Sequence, residues 1–273
     1  MKKVAVIILN RNLPQATDQL YEKFQSFNNG ELDVFVVESG SDHDKLSRYC
    51  TWWADWDEAR QMGLRYPRGF NYGLLQLKRT GRFSDYDYFF MVCNDIWFDD
   101  PIVAILLEEM ERHPRLGIIS PCGRNWGERT LIGENQTRYV WHVNHLAWLV
   151  RRRFVETIME RATPTYMNLF YDGTNYRGYY ADQEVIIKGY INEFATAISS
   201  KAMMIEKTEL LRTQADLIRT EPYEINIRQV FDEGREWVYR KYGFTTRAHM
   251  QLYAQMFFDR FFHLYPHLTE YRL

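Results

Sequence analysis

The apolar run at residues 88–93 ends abruptly in the polar pair Asn94 and Asp95, and this feature constrains the fold more than any other. Six residues are too few for a buried helix, but they suffice for a strand that is covered on both faces. Ligands of open α/β sheets bind in the crevice outside the carboxyl ends of the strands. Asp95 therefore predicts a metal ion or a ligand hydroxyl at this position. The alternative is that Asp95 only caps a turn.

Two earlier segments repeat this pattern of an apolar run that is closed by polar residues. Residues 3–9 are followed by Asn10, and residues 34–37 are followed by Glu38. Residues 14–27 lie between them and have the length of a helix. This alternation predicts βαβ units and a parallel sheet. The strand ends should then form one cleft, lined by Asn10, Glu38, Asn94 and Asp95.

Several segments, taken in chain order, resemble one known family. They are VAVIILNRN, VFVVESGSD, GFNYG, CNDIWFDDP, LGIISP, HLAWLVRRRF and ADQEVIIK, within residues 3–205. Their order and spacing resemble the nucleotide-sugar-dependent glycosyltransferases of the GT-A fold, in particular glycosyltransferase family 2. The resemblance implies an α/β, Rossmann-like fold in which helices flank a mostly parallel central sheet.

The resemblance also implies a divalent metal, Mn²⁺ or Mg²⁺, and a catalytic base. CNDIWFDDP is similar to the DxD-type metal motif of the family, which makes Asp95 the expected metal ligand and Asn94 a replacement for a charged residue. In ADQEVIIK, Asp182 occupies the position of the base, and Glu184 is the second carboxylate of that motif. The alternative for Asp182 is an ordinary helix N-cap. A third metal ligand, often a histidine in this family, is not evident in SSKAMMIEK.

Donor binding is expected to involve the first half of the chain. Glu38 can accept a hydrogen bond from a uracil N3–H or a ribose hydroxyl, so UDP is the favoured carrier. Arg11 is expected near the base or a phosphate, and Arg68 near a phosphate. Asn71 belongs to GFNYG, which is similar to the segment that packs beside the nucleotide. The alternative for both arginines is solvated loop charge.

Trp126 and Trp148 are the candidate stacking platforms for an acceptor sugar, although a buried tryptophan is an equally good explanation of each. His142 and His145 are separated by three positions, but the surrounding VWHVNHLAWLV is more typical of a strand than of a helical metal pair.

Composition is that of a globular protein without a nucleic-acid partner. The chain has 273 residues, 46% of them apolar, with a formal net charge of −2. Domains that bind nucleic acid are usually strongly basic, so this charge gives no reason to expect nucleic acid as a partner. The initial MKKVAVIILNRN is too short in its apolar part for a signal peptide or a membrane span. We therefore expect a cytoplasmic protein, with peripheral contact to the cytosolic membrane face as a further option.

The chain is expected to divide at residue 205. Residues 1–205 would form the catalytic domain, with 1–100 as its nucleotide-binding half and 101–205 as its acceptor-binding half. Residues 206–273 would form a helical appendage, with breaks near Pro222, Gly243 and Pro266. Asp99-Asp100-Pro101 predicts a helix start and His113-Pro114 its end, while residues 124–137 predict a loop. The final aromatic-rich segment could pack on the core, form a homodimer or lie on a membrane.

These observations favour an inverting glycosyltransferase. It would move a sugar from a nucleoside-diphosphate sugar to a hydroxyl of a glycan or glycoconjugate acceptor, with Asp182 as general base. A non-catalytic sugar-binding or scaffold protein of the same fold is one alternative. A nucleotidyltransferase is the other, but its glycine-rich, lysine-containing loop is missing after residue 9, where the chain has NRNLPQATD.

Overall fold

A computed structural model describes residues 3–143, 145–213 and 222–273 of the chain. The strands are β1 (Val4–Asn10), β2 (Leu32–Glu38), β3 (Cys50–Trp53), β4 (Tyr88–Cys93), β5 (Ile96–Trp97), β6 (Leu116–Gly123), β7 (Thr137–Tyr139), β8 (Ala147–Arg151) and β9 (Ala195–Glu206). The helices are α1 (Pro14–Ser26), α2 (Asp57–Met62), α3 (Arg65–Arg79), α4 (Ile102–Arg112), α5 (Glu128–Ile132), α6 (Arg152–Ile158), α7 (Ala181–Ile191), α8 (Thr208–Thr213), α9 (Tyr223–Tyr242) and α10 (Arg247–Leu264).

The strands form one central sheet in the order β3-β2-β1-β4-β8-β6-β9-β5, and β7 pairs with β9. Strands β3, β2, β1 and β4 run parallel, whereas β8 runs antiparallel to both β4 and β6. In this register Asn10 pairs with Glu38, and Leu9 pairs with Cys93. The polar residues that follow β1, β2 and β4 therefore meet at one edge. The predicted α/β class with a mostly parallel sheet flanked by helices is confirmed.

The centre of the sheet explains the continuous apolar runs. Residues 4–8 of β1 and 89–92 of β4 are 0% exposed because helices cover both faces of the sheet. Helix α1 begins with Pro14, which suits the first helical position, and it buries Leu20 and Phe24. Each fully buried side chain of this size stabilises the fold by about 1.5–3 kcal/mol. The sheet is thus a rigid base for the loops at its edge.

Local boundaries follow the sequence closely in some places and depart from it in others. The predicted strand at residues 88–93 is confirmed as β4. The helix start predicted at Asp99-Asp100-Pro101 is confirmed, because α4 begins at Ile102 with Pro101 at the N-cap position. The predicted loop at residues 124–137 is wrong in part, because it contains α5 and the first residue of β7. Strand β7 exists through its antiparallel pairing with the distant β9, which local sequence does not reveal.

The C-terminal helices pack against the part of the chain that precedes residue 206. Phe258, Phe261 and Phe262 of α10 belong to the main hydrophobic core, and the backbone N–H of Leu273 donates to the Tyr139 carbonyl oxygen. The predicted breaks near Gly243 and Pro266 are confirmed. Near Pro222, α9 begins directly after the proline, and residues 214–221 lie outside the described residues. Among the helices that the structure describes, none is long and apolar enough to cross a bilayer. The division at residue 205 stays a prediction.

Candidate active site

The three strand ends are joined by a buried hydrogen-bond network. Asn10 Nδ2 donates to Glu38 Oε2 over 2.8 Å, and Asn94 Nδ2 donates to Asn10 Oδ1 over 2.8 Å. Asn94 also donates to the Thr17 hydroxyl of α1. The structure therefore brings Asn10, Glu38 and Asn94 together, as the pattern of strand ends predicts. Their first partners, however, are one another.

Glu38 holds the loop that follows β2. Besides the bond from Asn10, its carboxylate accepts bonds from the Ser41 hydroxyl (2.6 Å) and the Ser47 backbone N–H (2.8 Å). The side chain is 0% exposed, and this burial raises the pKa of the carboxyl above its ordinary value. With its lone pairs engaged in this way, Glu38 shapes the loop and does not present a carboxylate to solvent.

Arg11 fastens the same loops to α2. Its guanidinium donates to five backbone carbonyl oxygens, those of Ser39, Gly40, Ala59, Arg60 and Gln61. Gly40 has φ of +74°, and a Cβ there would lie 1.7 Å from the Ala59 carbonyl oxygen. Only glycine fits this close approach. Arg11 is thus a structural cross-link at the edge of the site.

A pocket of about 230 Å³, which we call the strand-end pocket, opens at this edge. It is lined by Leu9, Asn10, Arg11, Ser39, Arg65, Tyr66, Cys93, Asn94, Asp95 and Arg177. A second pocket of about 330 Å³, the α7 pocket, includes Asp182, His142 and Gln183. The two pockets share Tyr66, Cys93, Asp95 and Arg177. Asp95 thus stands at the junction of the pocket at the strand ends and the pocket of Asp182.

Asp95 is a buried carboxylate with an unmet need for a partner. It is 4% exposed, and its Oδ1 has no hydrogen-bond partner among the described residues. Burial, together with the nearby Glu206 carboxylate, raises the pKa of Asp95 to about 7. A buried atom of this kind is costly unless a ligand satisfies it. These surroundings fit a cation.

Glu206 is the second carboxylate that could hold a metal ion, although no pattern in the sequence indicates it. It ends β9 and pairs with Ile96, the residue after Asp95, while the Lys207 N–H donates to the Asp95 carbonyl oxygen. Mg²⁺ and Mn²⁺ prefer oxygen ligands and often use one or two carboxylates. In the part of the chain that the structure describes, no group of three or more His, Cys, Asp or Glu residues is arranged so that it could hold a metal ion by itself. Asp95 and Glu206 therefore fit a metal that is completed by ligand oxygens.

Asp182 lies in the first turn of α7 and lines the α7 pocket. Its Oδ1 accepts the backbone N–H of Gln183 over 2.8 Å. Burial raises the pKa of Asp182, although the Gln183 N–H and the positive charges of a protonated His142 and of Arg247 oppose the rise. Tyr180 precedes the helix with φ of +74°, an unusual conformation for a bulky residue. Asp182 is therefore a pocket residue with a perturbed carboxyl, whereas Tyr180 occupies the N-cap position.

Glu184 points to the C-terminal helices. It is 1% exposed, and its Oε1 accepts from the Tyr242 hydroxyl and pairs with Lys241, each over 2.6 Å. Lys188 lies 3.3 Å from Oε2. These contacts attach α7 to the end of α9. The surroundings of Glu184 favour a structural role over its predicted catalytic one.

Two further predicted donor residues lie in structural positions. Arg68 donates to the Gly173 carbonyl oxygen and pairs with Glu58, and it lines a different pocket. Asn71 is 0% exposed and makes four hydrogen bonds with backbone atoms of Tyr166, Phe170 and Tyr171. Asn71 thus ties α3 to the chain that precedes α7.

The two predicted acceptor platforms differ in exposure. Trp126 is partly exposed, donates from Nε1 to Glu206 Oε2 over 3.0 Å, and lines a surface pocket with Glu128 and Leu146. Trp148 is 0% exposed, and its ring centroid lies 4.3 Å from that of His145 in the core. Trp126 therefore keeps its candidate role, whereas Trp148 is a core residue.

Arg65 and Arg177 supply positive charge that no pattern in the sequence indicates. Both line the strand-end pocket, and both donate to the Asn226 side chain of α9. Arg177 also pairs with Glu233. Their positions depend on the way α9 packs, so no local pattern reveals them. The strand-end pocket therefore has a positively charged wall.

The fold is shared with known glycosyltransferases, although no protein-family model and no curated protein matches the sequence. A mannosyltransferase from Pyrobaculum calidifontis, solved with GDP-Man and Mn²⁺, aligns with a TM-score of 0.55 and 12% identity over 88% of this chain and 64% of its own. GalNAc-T7, solved with UDP, GalNAc and Mn²⁺, aligns with a TM-score of 0.58 and 9% identity over 99% of this chain and 59% of its own. The chain has the GT-A fold.

A third structure with this fold is glucosyl-3-phosphoglycerate synthase from Mycobacterium tuberculosis, solved with Mn²⁺, UDP-glucose and phosphoglyceric acid. It aligns with a TM-score of 0.50 and 13% identity over 85% of this chain and 78% of its own. The chain spans 64% and 59% of the lengths of the first two structures. At such identities the similarity establishes the fold, and the roles of residues rest on the site geometry.

Proposed function

We propose that this protein transfers a sugar from a nucleoside diphosphate to a hydroxyl of a glycan or glycoconjugate acceptor, with inversion at the anomeric carbon. The observation that carries the proposal is the junction at Asp95. There, a pocket at the carboxyl ends of parallel strands meets a pocket that contains a perturbed aspartate, Asp182. Ligands of α/β sheets bind at such strand ends.

The nucleotide would occupy the strand-end pocket. Asn10 and Asn94 line it, and Arg65 and Arg177 add positive charge that suits a diphosphate. UDP is the first carrier to test. Because the Glu38 carboxylate is occupied by Asn10, Ser41 and Ser47, base recognition would rest on the loop that Glu38 shapes.

Asp95 and Glu206 would hold a divalent metal, Mn²⁺ or Mg²⁺. When bound, such an ion supplies positive charge next to the leaving diphosphate. Asp95 carries the unpartnered oxygen Oδ1, and Glu206 lies beside it at the end of β9. Metal binding requires both carboxylates in their ionised form, so the affinity should fall as the pH drops below the raised pKa of Asp95, about 7.

Asp182 would act as the base. As the acceptor oxygen bonds to the anomeric carbon, the bond from that carbon to the phosphate oxygen breaks and the acceptor proton moves to Asp182. Its raised pKa makes the carboxylate a stronger proton acceptor than an exposed aspartate. The positive end of the α7 dipole helps to keep it ionised. One displacement by one nucleophile inverts the configuration.

Thermal melting with nucleotide ligands tests the proposed donor site. UDP-, GDP-, CMP- and dTDP-sugars would be added with Mn²⁺ or a chelator to wild type, Asp95→Ala and the exposed control Asp100→Ala. A ligand at a hundredfold excess over its Kd stabilises by about 2.7 kcal/mol, which raises Tm by several degrees. The proposal expects a Mn²⁺-dependent shift that is specific to one nucleotide and is lost in Asp95→Ala alone. No shift with any nucleotide would contradict it.

The non-catalytic alternative is favoured by one observation. The described residues bring only two carboxylates, Asp95 and Glu206, to the proposed metal position, without the histidine that often completes it. A protein that binds a nucleotide sugar but never releases the free nucleotide would fit this alternative.

Homodimer formation and peripheral membrane contact also stay predictions. Exposed apolar side chains on α9 and α10 would be available for either: Ile225, Ile227, Phe231, Leu252, Met256 and Leu264.

A further inference from the structure

His142 lies in the α7 pocket with Asp182, and a hydrogen-bond chain fixes the orientation of its ring. His142 Nδ1 lies 2.9 Å from Gln183 Oε1, and Gln183 Nε2 donates to the Trp141 backbone carbonyl oxygen. Gln183 is 2% exposed and lies on α7, next to Asp182. A rigid helix therefore holds both the candidate base and the amide that contacts the imidazole.

This chain determines which ring nitrogen of His142 carries the proton. A backbone carbonyl oxygen can only accept, so the Gln183 atom that faces Trp141 must be its NH₂ group. The amide oxygen then faces His142, and because it also only accepts, Nδ1 must be the protonated nitrogen. Neutral His142 consequently has an unprotonated Nε2, which can accept a hydrogen bond but cannot donate one.

The charged groups around His142 belong to four elements. A protonated His142 lowers the pKa of Asp182 on α7 and of Glu128 on α5, so both carboxylates lie within electrostatic range. Arg247 of α10 and Glu206 of β9 line the same pocket. His142 itself is partly exposed. A ligand that enters the pocket toward Asp182 can therefore reach the imidazole.

We propose that His142 binds a sugar hydroxyl by accepting its hydrogen bond at Nε2, and that Gln183 is the positioning residue that sets this tautomer. The inference rests on the proposed function. A hydroxyl can donate to Nε2, whereas an ionised phosphate oxygen or a carbonyl oxygen cannot. The position next to Asp182 is thereby selective for a hydroxyl, which belongs either to the donor sugar or to the acceptor.

The tautomer is measured without any ligand, by ¹⁵N NMR of the imidazole with His142→Phe used for assignment. In neutral wild type, Nδ1 should be protonated and Nε2 should not. Gln183→Met keeps the length of the side chain but removes both hydrogen bonds, so a population protonated at Nε2 should appear. Gln183→Glu keeps an acceptor beside Nδ1 and should preserve the protonated Nδ1. Protonated Nε2 in neutral wild type would overturn the assignment, as would an unchanged spectrum in Gln183→Met.

Ligand binding tests the hydroxyl contact itself. The probes are UDP, UDP-glucose, GDP and GDP-mannose with Mn²⁺, and the 4-nitrophenyl glycosides of glucose and mannose. His142→Phe keeps an aromatic ring but loses the acceptor, and His263→Phe on the exposed face of α10 is the matched control. His142→Phe should bind bare UDP and GDP like wild type and should bind a sugar-bearing probe about tenfold more weakly. His263→Phe should bind every probe like wild type.

The pattern of losses identifies the source of the hydroxyl. A loss confined to the nucleotide sugars assigns the contact to the donor sugar, and a loss confined to the glycosides assigns it to the acceptor. Two results would overturn the hydroxyl contact alone. In the first, wild type and His142→Phe bind the sugar-bearing probes equally well. In the second, His142→Phe weakens the binding of bare UDP and GDP by the same factor as the binding of the sugar-bearing probes. If wild type binds none of the probes, the proposed function and the hydroxyl contact fail together.

Discussion

Replacement of Asp95 by asparagine should stabilise the metal-free protein at neutral and alkaline pH. The carboxyl group is 4% exposed, and its Oδ1 has no hydrogen-bond partner among the described residues. Burial and the neighbouring Glu206 raise its pKa from an ordinary value of 3.8 to about 7. Ionisation of Asp95 therefore opposes folding unless a cation is bound. Asparagine removes that charge and keeps the shape of the side chain.

The size of the effect follows from the two pKa values. The unfolded chain releases the Asp95 proton near 3.8, whereas the folded chain keeps it up to about 7. Between these values the folded state binds more protons, so the free energy of unfolding falls as the pH rises. The gap corresponds to about 4 kcal/mol, which is fully expressed above the folded pKa and vanishes below the unfolded one. The advantage of Asp95→Asn should follow the same curve.

The assay is thermal melting in a chelator at several pH values between about 5 and about 8. The Tm of Asp95→Asn should exceed that of wild type by roughly 10 °C at the alkaline end, and the gap should shrink toward the acidic end. Asp100→Asn, which removes an exposed carboxylate nearby, should show no such gap. If Asp95→Asn melts at or below wild type at about pH 8, ionised Asp95 does not destabilise the metal-free fold. A difference in Tm that does not change with pH would contradict the same claim.

Three further outcomes are expected. Asn71→Leu leaves four backbone groups without their partner and should destabilise the fold by roughly 3–5 kcal/mol in denaturant unfolding, whereas an unchanged stability would mean that water replaces the amide. Gly40→Ala should lower the free energy of unfolding by at least about 2 kcal/mol, which is more than Gly30→Ala should. Gly30 also has a positive φ, but a Cβ there would meet open space. Equal losses in the two variants would mean that the close approach to Ala59 does not matter. Because the pKa of Asp182 is raised, kcat/KM should fall on acidification already above the ordinary value of 3.8, and a flat profile there would exclude Asp182 as the base.

Much of the sheet was predictable because strands that are buried on both faces require unbroken apolar runs. Strands β1, β2 and β4 follow such runs, and helix α1 begins at its proline. The short strands β5 and β7 were not predictable, because each exists through pairing with β9, which lies far later in the sequence. The proximity of Glu206 to Asp95 depends on the pairing of β5 with β9, which explains why the sequence did not reveal it.

The sequence indicated where the candidate site residues lie better than it indicated what each of them contacts. Asn10, Glu38, Asn94 and Asp95 lie at one edge of the sheet because parallel strands end together, but Glu38 is not among the residues that line the strand-end pocket. A polar residue type does not reveal whether its partner is a ligand or the backbone. Asn71 satisfies backbone atoms, and Glu184 satisfies a lysine on α9. Only the tertiary structure distinguishes these cases.

The proposed inverting transfer is tested most directly by the configuration of the sugar after it leaves the nucleotide. Wild type and Asp182→Asn would be incubated with Mn²⁺ and the nucleotide sugar that binds, and proton NMR would follow nucleotide release and the anomeric configuration of the first product. Wild type should form a product of inverted configuration. Asp182→Asn should bind the nucleotide normally but release it at least about a hundredfold more slowly. A product of retained configuration would contradict an inverting mechanism. A release rate that is unchanged in Asp182→Asn would contradict the role of Asp182 as the base.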